Sequence, residues 1–172
     1  MKRVSLAYRD LSEIPRDFCD NHGADVEELD LSYNRISDLR PLSALTRLNT
    51  LVLDKNDLTA HVLLPSMPAL HTLWVNHNQI ENLSLFVETI AANCPNLRFL
   101  SMMNNAAAPS YFNKGSVQDY NDYRFYVISR LPDLEVLDDV IISADERDEA
   151  KRIYGKRRVA SRAGPGELNA RR

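Results

Sequence analysis

Four histidines, two cysteines and one pair of adjacent aspartates are where metal or hydrolytic chemistry would have to start. His71 and His77 stand six residues apart. Zinc needs three or four converging ligands, and no cysteine or nearby third histidine joins them, since His22 and His61 lie elsewhere. Cys19 and Cys94 have no metal-type spacing and are too few for a disulfide framework. Asp138 and Asp139 offer two carboxylates, but hydrolysis needs an opposing acid or a bound metal. The five glycines, at 23, 115, 155, 164 and 166, are too scattered to form a phosphate-cradling loop. Asn82-Leu83-Ser84 fits a glycosylation sequon, which means nothing without a secretory signal, and the N-terminal MKRVSLAYRD turns polar too early for one. The expectation is a chain with no catalytic residue, no metal and no cofactor.

Charge carries more information. The 172 residues are 44% hydrophobic and 26% charged, the balance of a single globular domain. No apolar run approaches the roughly 18 residues of a membrane span, so no transmembrane segment is expected, and the chain is placed in the cytoplasm or nucleus. The net charge of −3 conceals a division. Residues 151–172 hold eight Lys/Arg against Glu167, a net of +7, whereas residues 1–150 carry a net of −10. Lys151, Arg152, Lys156, Arg157 and Arg158 suit four roles: contact with RNA phosphates, nuclear import, contact with anionic lipid, and a solvated helix end that complements the dipole. Arg158-Val159-Ala160-Ser161 resembles a basophilic kinase site, and phosphorylation of Ser161 would remove about 1.5–2 units of positive charge.

The elements that would position these groups follow from an internal repeat. Val26, Leu29, Leu31, Asn34 and Ile36 recur as Leu48, Leu51, Leu53, Asn56 and Leu58. They recur again as Leu70, Leu73, Val75, Asn78 and Ile80, and as Leu97, Leu100, Met102 and Asn105. The frame is L-x-x-L-x-L-x-x-N-x-L, the leucine-rich-repeat pattern. A first copy (Val4, Leu6, Leu11) has Arg9 in place of the asparagine, and Leu134 and Leu137 close the array. Each copy supplies one short strand, and one repeat alone cannot bury its apolar side. The expected architecture is an α/β leucine-rich-repeat solenoid. Short parallel strands line the concave face, helices or 3₁₀ turns form the convex side, and a helical cap closes the C-terminal end. Each repeated asparagine is expected to satisfy backbone groups where the chain leaves its strand. The 27-residue step from Asn78 to Asn105, with Leu83, Phe86, Val87 and Ile90 at helical spacing, predicts a helix over 83–93. The other returns are expected to hold only turns or a few 3₁₀ residues.

A solenoid must also cover its open ends. Tyr120, Tyr123, Phe125, Tyr126, Val127 and Ile128 read as a helix packed on the last repeat. Ser143 and Glu146 form a capping box for a final helix through about Arg158, with Ala150, Ile153 and Tyr154 as its buried stripe. Residues 1–158 are thus one repeat domain with its cap over about 117–158, and residues 159–172 a basic, disordered tail. In the loop before the cap, Tyr111 and Phe112 are expected to anchor the chain onto the core, with a ligand role in a functional loop as the alternative.

The cap resembles one shared by intracellular leucine-rich-repeat proteins. The run from Tyr123 to Asp138 (YRFYVISRLPDLEVLD) and that from Glu146 to Ala150 (ERDEA) carry the likeness. With Leu64 to Leu73 (LPSMPALHTL) and Pro95 to Ser101 (PNLRFLS), the chain resembles the leucine-rich melanocyte differentiation-associated family over roughly residues 4–155. That resemblance implies a non-enzymatic adaptor, associated in vertebrates with pigment-cell and lysosome-related-organelle biology. A related resemblance, to the spliceosomal U2 A-prime proteins, implies the alternative of a nuclear ribonucleoprotein component that binds an RNA-recognition-motif protein.

Strand alternation predicts which side chains would meet a partner. One outward row is Arg3, Glu28, Thr50, Thr72, Phe99 and Val136; a second is Ser5, Asp30, Val52, Trp74, Ser101 and Asp138; a third includes Asp54, Asn76 and Met103. Tyr8, Tyr33, Lys55, His77 and Asn104 follow at the strand exits. An exposed aromatic cluster with a polar rim marks an interaction site. The expected protein-binding set is Glu28, Asp30, Tyr33, Val52, Asp54, Trp74, Asn76, Phe99 and Met103.

Overall fold

A computed structural model describes residues 2–160, with side chains as far as residue 155. Strands β1 (Lys2–Ser5), β2 (Val26–Asp30), β3 (Thr50–Val52), β4 (Thr72–Trp74), β5 (Phe99–Ser101), β6 (Val136–Leu137) and β7 (Val140–Ile141) form one sheet in sequence order. The first six are parallel and β7 returns antiparallel to β6. This is the expected α/β solenoid. Its interior row Leu29, Leu51, Leu73, Leu100 and Leu137 stands in register from strand to strand, each residue at most 1% exposed. Burying each such side chain contributes about 2 kcal/mol.

The returns form helix α1 (Arg16–His22), a 3₁₀ turn (Arg40–Ala44) and helix α2 (Leu83–Asn93). Helix α2 occupies the expected residues and buries Phe86, Val87 and Ile90, with Asn82 Oδ1 accepting from Leu85 N at 3.0 Å as its N-cap. Helix α1 was not expected. The first return is 25 residues from Arg9 to Asn34, three more than the next, which gives room for two turns that bury Cys19.

The repeated asparagines work as a ladder. Asn56 Oδ1 accepts from Ile36 N at 2.9 Å, and Asn56 Nδ2 donates to Leu31 O at 3.0 Å and Leu53 O at 3.1 Å. Asn34, Asn78 and Asn105 repeat the arrangement, each tying its own strand exit to the one before. In the first repeat, which lacks its own asparagine, Asn34 Oδ1 accepts from both Arg9 N and Leu11 N.

The cap consists of helices α3 (Val117–Arg130) and α4 (Ala144–Ala160) around the β6–β7 hairpin. The Ser143–Glu146 capping box is present in both directions. Two details differ from expectation. Ile153 is 37% exposed, and the stripe on α4 is instead Ala150 with Tyr154, whose ring meets Tyr126 edge-on at 5.4 Å. The two-residue turn of Asp138 and Asp139, both at positive φ, makes a tight hairpin, so β7 rather than β6 is the sheet edge. That turn also withdraws Asp138 from the outward row. Its carboxylate accepts from Met102 N at 2.8 Å and Tyr123 Oη at 2.7 Å, and burial raises its pKa.

Arg124 is a buried cation in the middle of α3, which apolar periodicity could not reveal. Its Nε pairs with Glu146 at 2.7 Å and Nη1 donates to Leu137 O at 2.9 Å, so one side chain joins α3, α4 and β6. Of residues 159–172, the first two end α4; the expectation of a disordered tail otherwise lies outside the described residues, as does Ser161.

Candidate protein-binding face

The outward rows fall where alternation places them. Arg3, Glu28, Thr50, Thr72, Phe99 and Val136 are aligned across six strands, and Ser5, Asp30, Val52, Trp74 and Ser101 across five. Trp74 is 40% and Phe99 39% exposed, high values for large apolar side chains on a sheet. They sit on adjacent strands two positions apart in register, a diagonal spacing that aromatic rings can bridge. Val52 and Met103 are half-buried beside them. Together they form an apolar centre.

The acids around that centre have structural duties. Asp30 Oδ1 accepts from Ser32 N at 2.9 Å and from Ser32 Oγ at 2.7 Å. Asp54 Oδ1 accepts from Asn76 N at 2.8 Å. Burial raises the Asp54 pKa, and hydrogen bonds from Asn76 work against that rise. Asn76, expected on the open face, is only 8% exposed. Its Oδ1 accepts from Ser101 Oγ at 2.7 Å and Met103 N at 2.8 Å, so its amide is turned inward to serve the next strand. Ser101, next to Trp74 in the row, is buried for the same reason. Glu28 is half-buried and lies 3.7 Å from Arg3.

At the strand exits, Tyr8, Tyr33, Lys55, His77 and Asn104 all adopt left-handed backbone, with φ between 54° and 59°. None is glycine; the conformation turns the chain so that the next residue, asparagine from the second repeat on, points inward. The exposed side chains stack as a consequence. The Tyr8 and Tyr33 rings lie 4.1 Å apart at 16°, and Lys55 Nζ sits 4.6 Å from the Tyr33 centroid. Tyr8, 71% exposed, extends this exposed stack, which its row alone gave no reason to expect.

The other candidate groups are dispersed. His71 and His77 are exposed, and among the described residues no three His, Cys, Asp or Glu side chains gather as a metal site. Burial pushes the Cys94 thiol up to about 12 and Cys19 to about 11, which leaves neither a thiolate near neutral pH. Lys151 is exposed, and Arg152 is exposed and paired with Glu149, Nε to Oε2 at 2.8 Å. The side chains of Lys156, Arg157 and Arg158 lie outside the described residues, as do any contacts they make with RNA or lipid. Among the described residues no helix is long and apolar enough to cross a membrane.

Tyr111 and Phe112 reverse their expectation: they are 91% and 89% exposed. Ala107 and Ala108, both buried, anchor the loop in their place. The loop's short side chains fill the core edge, and the 3₁₀ turn Tyr111–Asn113 holds the aromatic pair away from it.

A repeating strand with an inward asparagine at each exit defines a leucine-rich-repeat protein, and the leucine-rich-repeat family model matches residues 12–164. The chain belongs to that family. It is similar to human leucine-rich melanocyte differentiation-associated protein, 38% identical over 127 residues, covering 71% of this chain and 64% of that protein. It is also similar to U2 small nuclear ribonucleoprotein A' of Arabidopsis thaliana, 32% identical over 145 residues, covering 80% of this chain and 53% of that protein. The chain therefore spans between half and two thirds of the length of these relatives. A crystal structure of the Drosophila melanogaster SNF/U2A' complex contains a chain of the same fold. Its TM-score is 0.71 at 22% identity, over 92% of this chain and 87% of that one.

Proposed function

We propose that this chain is a non-enzymatic protein-interaction adaptor whose open sheet face holds a protein partner. The observation that carries the reading is the pair Trp74 and Phe99, each about 40% exposed on adjacent strands. The neighbours in the same rows are Thr50 and Thr72 beside Phe99 and Ser101 beside Trp74, so strand pairing itself does not require a large apolar side chain at either position. Tryptophan at the centre of an exposed row, with half-buried Val52 and Met103 around it, has the composition of a binding hot spot. Glu28, Asp30, Tyr33 and Asp54 rim that centre. Asn76 supports it from beneath.

The test replaces Trp74 and Phe99 together (Trp74→Ser, Phe99→Ser) and compares proteins captured by the wild-type and variant chains. Loss of one Trp at a hot spot costs about 2–4 kcal/mol of binding, so the principal partner should disappear from the capture. A double variant that keeps its circular dichroism and retains every partner refutes the proposal.

The similarity to leucine-rich melanocyte differentiation-associated protein supports placing that adaptor role in pigment-cell biology. The similarity to U2 small nuclear ribonucleoprotein A' supports a second reading, a component of a nuclear ribonucleoprotein. Under that reading RNA binding by the complex falls steeply with salt, because neutralised phosphates release counterions.

A further inference from the structure

A groove of about 660 Å³ runs between the loop after β5 and the helical cap. It shares no residue with the face just described. Leu83 of α2, Pro109 of the loop, Tyr123 and Tyr126 of α3 and Tyr154 of α4 supply its apolar and aromatic walls.

The groove is built to hold its shape. Ser110 N donates to Asn113 Oδ1 at 2.7 Å, and Asn113 Nδ2 donates to Ala108 O at 2.9 Å. Gly115 packs so closely on the loop that a Cβ there would lie 2.8 Å from Pro109 Cβ and 2.9 Å from Ser110 N. The loop wall is thus fastened to itself and to the buried Ala107 and Ala108. It nonetheless carries Tyr111 and Phe112 at its tip, almost wholly exposed and edge-to-face at 5.9 Å. An ordered loop that directs two aromatics into water leaves apolar surface uncovered beside the groove, a feature of interaction sites.

Charge narrows the occupant. Asp119 and Asp122, exposed and one turn apart on α3, line the groove with Lys114 as the one cation among its described side chains. Asp119 Oδ2 accepts from Ser116 N at 2.9 Å and Ser116 Oγ at 2.7 Å, which leaves Oδ1 and the Asp122 carboxylate toward the groove. A carboxylate rim beside tyrosine faces complements a lysine or arginine, and the tyrosine walls suit a prolyl or aliphatic side chain. An anionic membrane fits poorly, because the aspartates repel it and the aromatic walls are recessed.

We propose that this groove docks a short extended peptide of a partner protein, with a proline or aliphatic residue on Tyr126 and Tyr154 and a neighbouring Lys or Arg against Asp119 and Asp122.

An array of short peptides, each with one fixed Pro or Leu and randomised flanks, is probed with the full chain. Selected sequences should be enriched in Lys or Arg within a few positions of the fixed residue. The best of them should bind in solution with a Kd in the micromolar range. Asp122, whose side chain accepts a hydrogen bond from Gln118 alone among the described residues, is replaced in Asp122→Lys, which should weaken that binding about ten-fold or more while circular dichroism stays unchanged. Trp74→Ser should leave it unchanged, which separates this groove from the sheet face. Absence of basic enrichment, or an unaltered affinity in Asp122→Lys, overturns the proposal. Binding to phosphatidylserine vesicles that depends on Phe112, with no peptide selected, also overturns it and gives the loop to a membrane. Peptide binding that is absent in the full chain and appears only in a chain ending at Ala160 would assign the groove to this chain's own residues 161–172 and overturn the proposal.

Discussion

The asparagine ladder makes a prediction about coupling between repeats. Leu31 O accepts from Asn34 Nδ2 at 2.9 Å and from Asn56 Nδ2 at 3.0 Å. Leu53 O is shared likewise between Asn56 and Asn78. Removing Asn56 alone, as Asn56→Ala, leaves each carbonyl one partner and orphans only Ile36 N, which has Asn56 Oδ1 as its acceptor. One buried N–H without a partner costs about 1–3 kcal/mol, and two weakened carbonyls add to it, so the expected loss is about 2–4 kcal/mol. The double variant Asn34→Ala/Asn56→Ala removes both donors to Leu31 O. Its loss should exceed the sum of the single losses by about 1 kcal/mol. The pair Asn34→Ala/Asn105→Ala shares no carbonyl and should be additive within about 0.5 kcal/mol. Urea unfolding followed by Trp74 fluorescence and far-ultraviolet circular dichroism measures all five variants. Coincident transitions are the condition for using the values, because repeat arrays can lose two-state behaviour. If the adjacent pair proves as additive as the distant pair, the shared carbonyls carry no coupling and the ladder argument fails.

Two further outcomes follow from buried charge in the cap. Burial raises the Asp138 pKa, so the folded state holds that proton more tightly than the unfolded chain, and the associated stability is lost as pH rises through the folded value. Asp138→Asn should therefore gain on wild type between acidic and neutral pH in thermal melts, and a constant difference across that range would refute the assignment. Glu146→Gln leaves Arg124, whose side chain is 3% exposed, without its counter-ion while an amide oxygen can still meet Nε. The expected loss is about 2–3 kcal/mol, toward the low end for a broken buried pair because Glu146 is partly solvated, and a chemical-denaturation loss below about 0.5 kcal/mol would contradict it.

Much of the architecture was legible because a repeat states its own register. Once Asn34, Asn56, Asn78 and Asn105 were aligned, the inward leucines and the outward rows followed by alternation, and the strand pairs obey them. The same logic placed Trp74 and Phe99 on the open face. It misplaced Asn76 and Asp138, because alternation assigns a side to a Cβ and says nothing about which backbone N–H the side chain turns to serve. Tyr111 and Phe112 were read as anchors on hydrophobicity alone. The core edge there was already filled by Ala107 and Ala108, which no sequence rule could announce.

The repeat, its period, the ladder asparagines and the division of charge depend only on residue type and spacing along the chain, so all four are legible before folding. Tertiary structure alone decided the burial of Arg124, the coupling of neighbouring asparagines through one carbonyl, and the groove between loop and cap. Those features depend on how far apart atoms from distant segments come to rest, a quantity that packing sets and spacing does not.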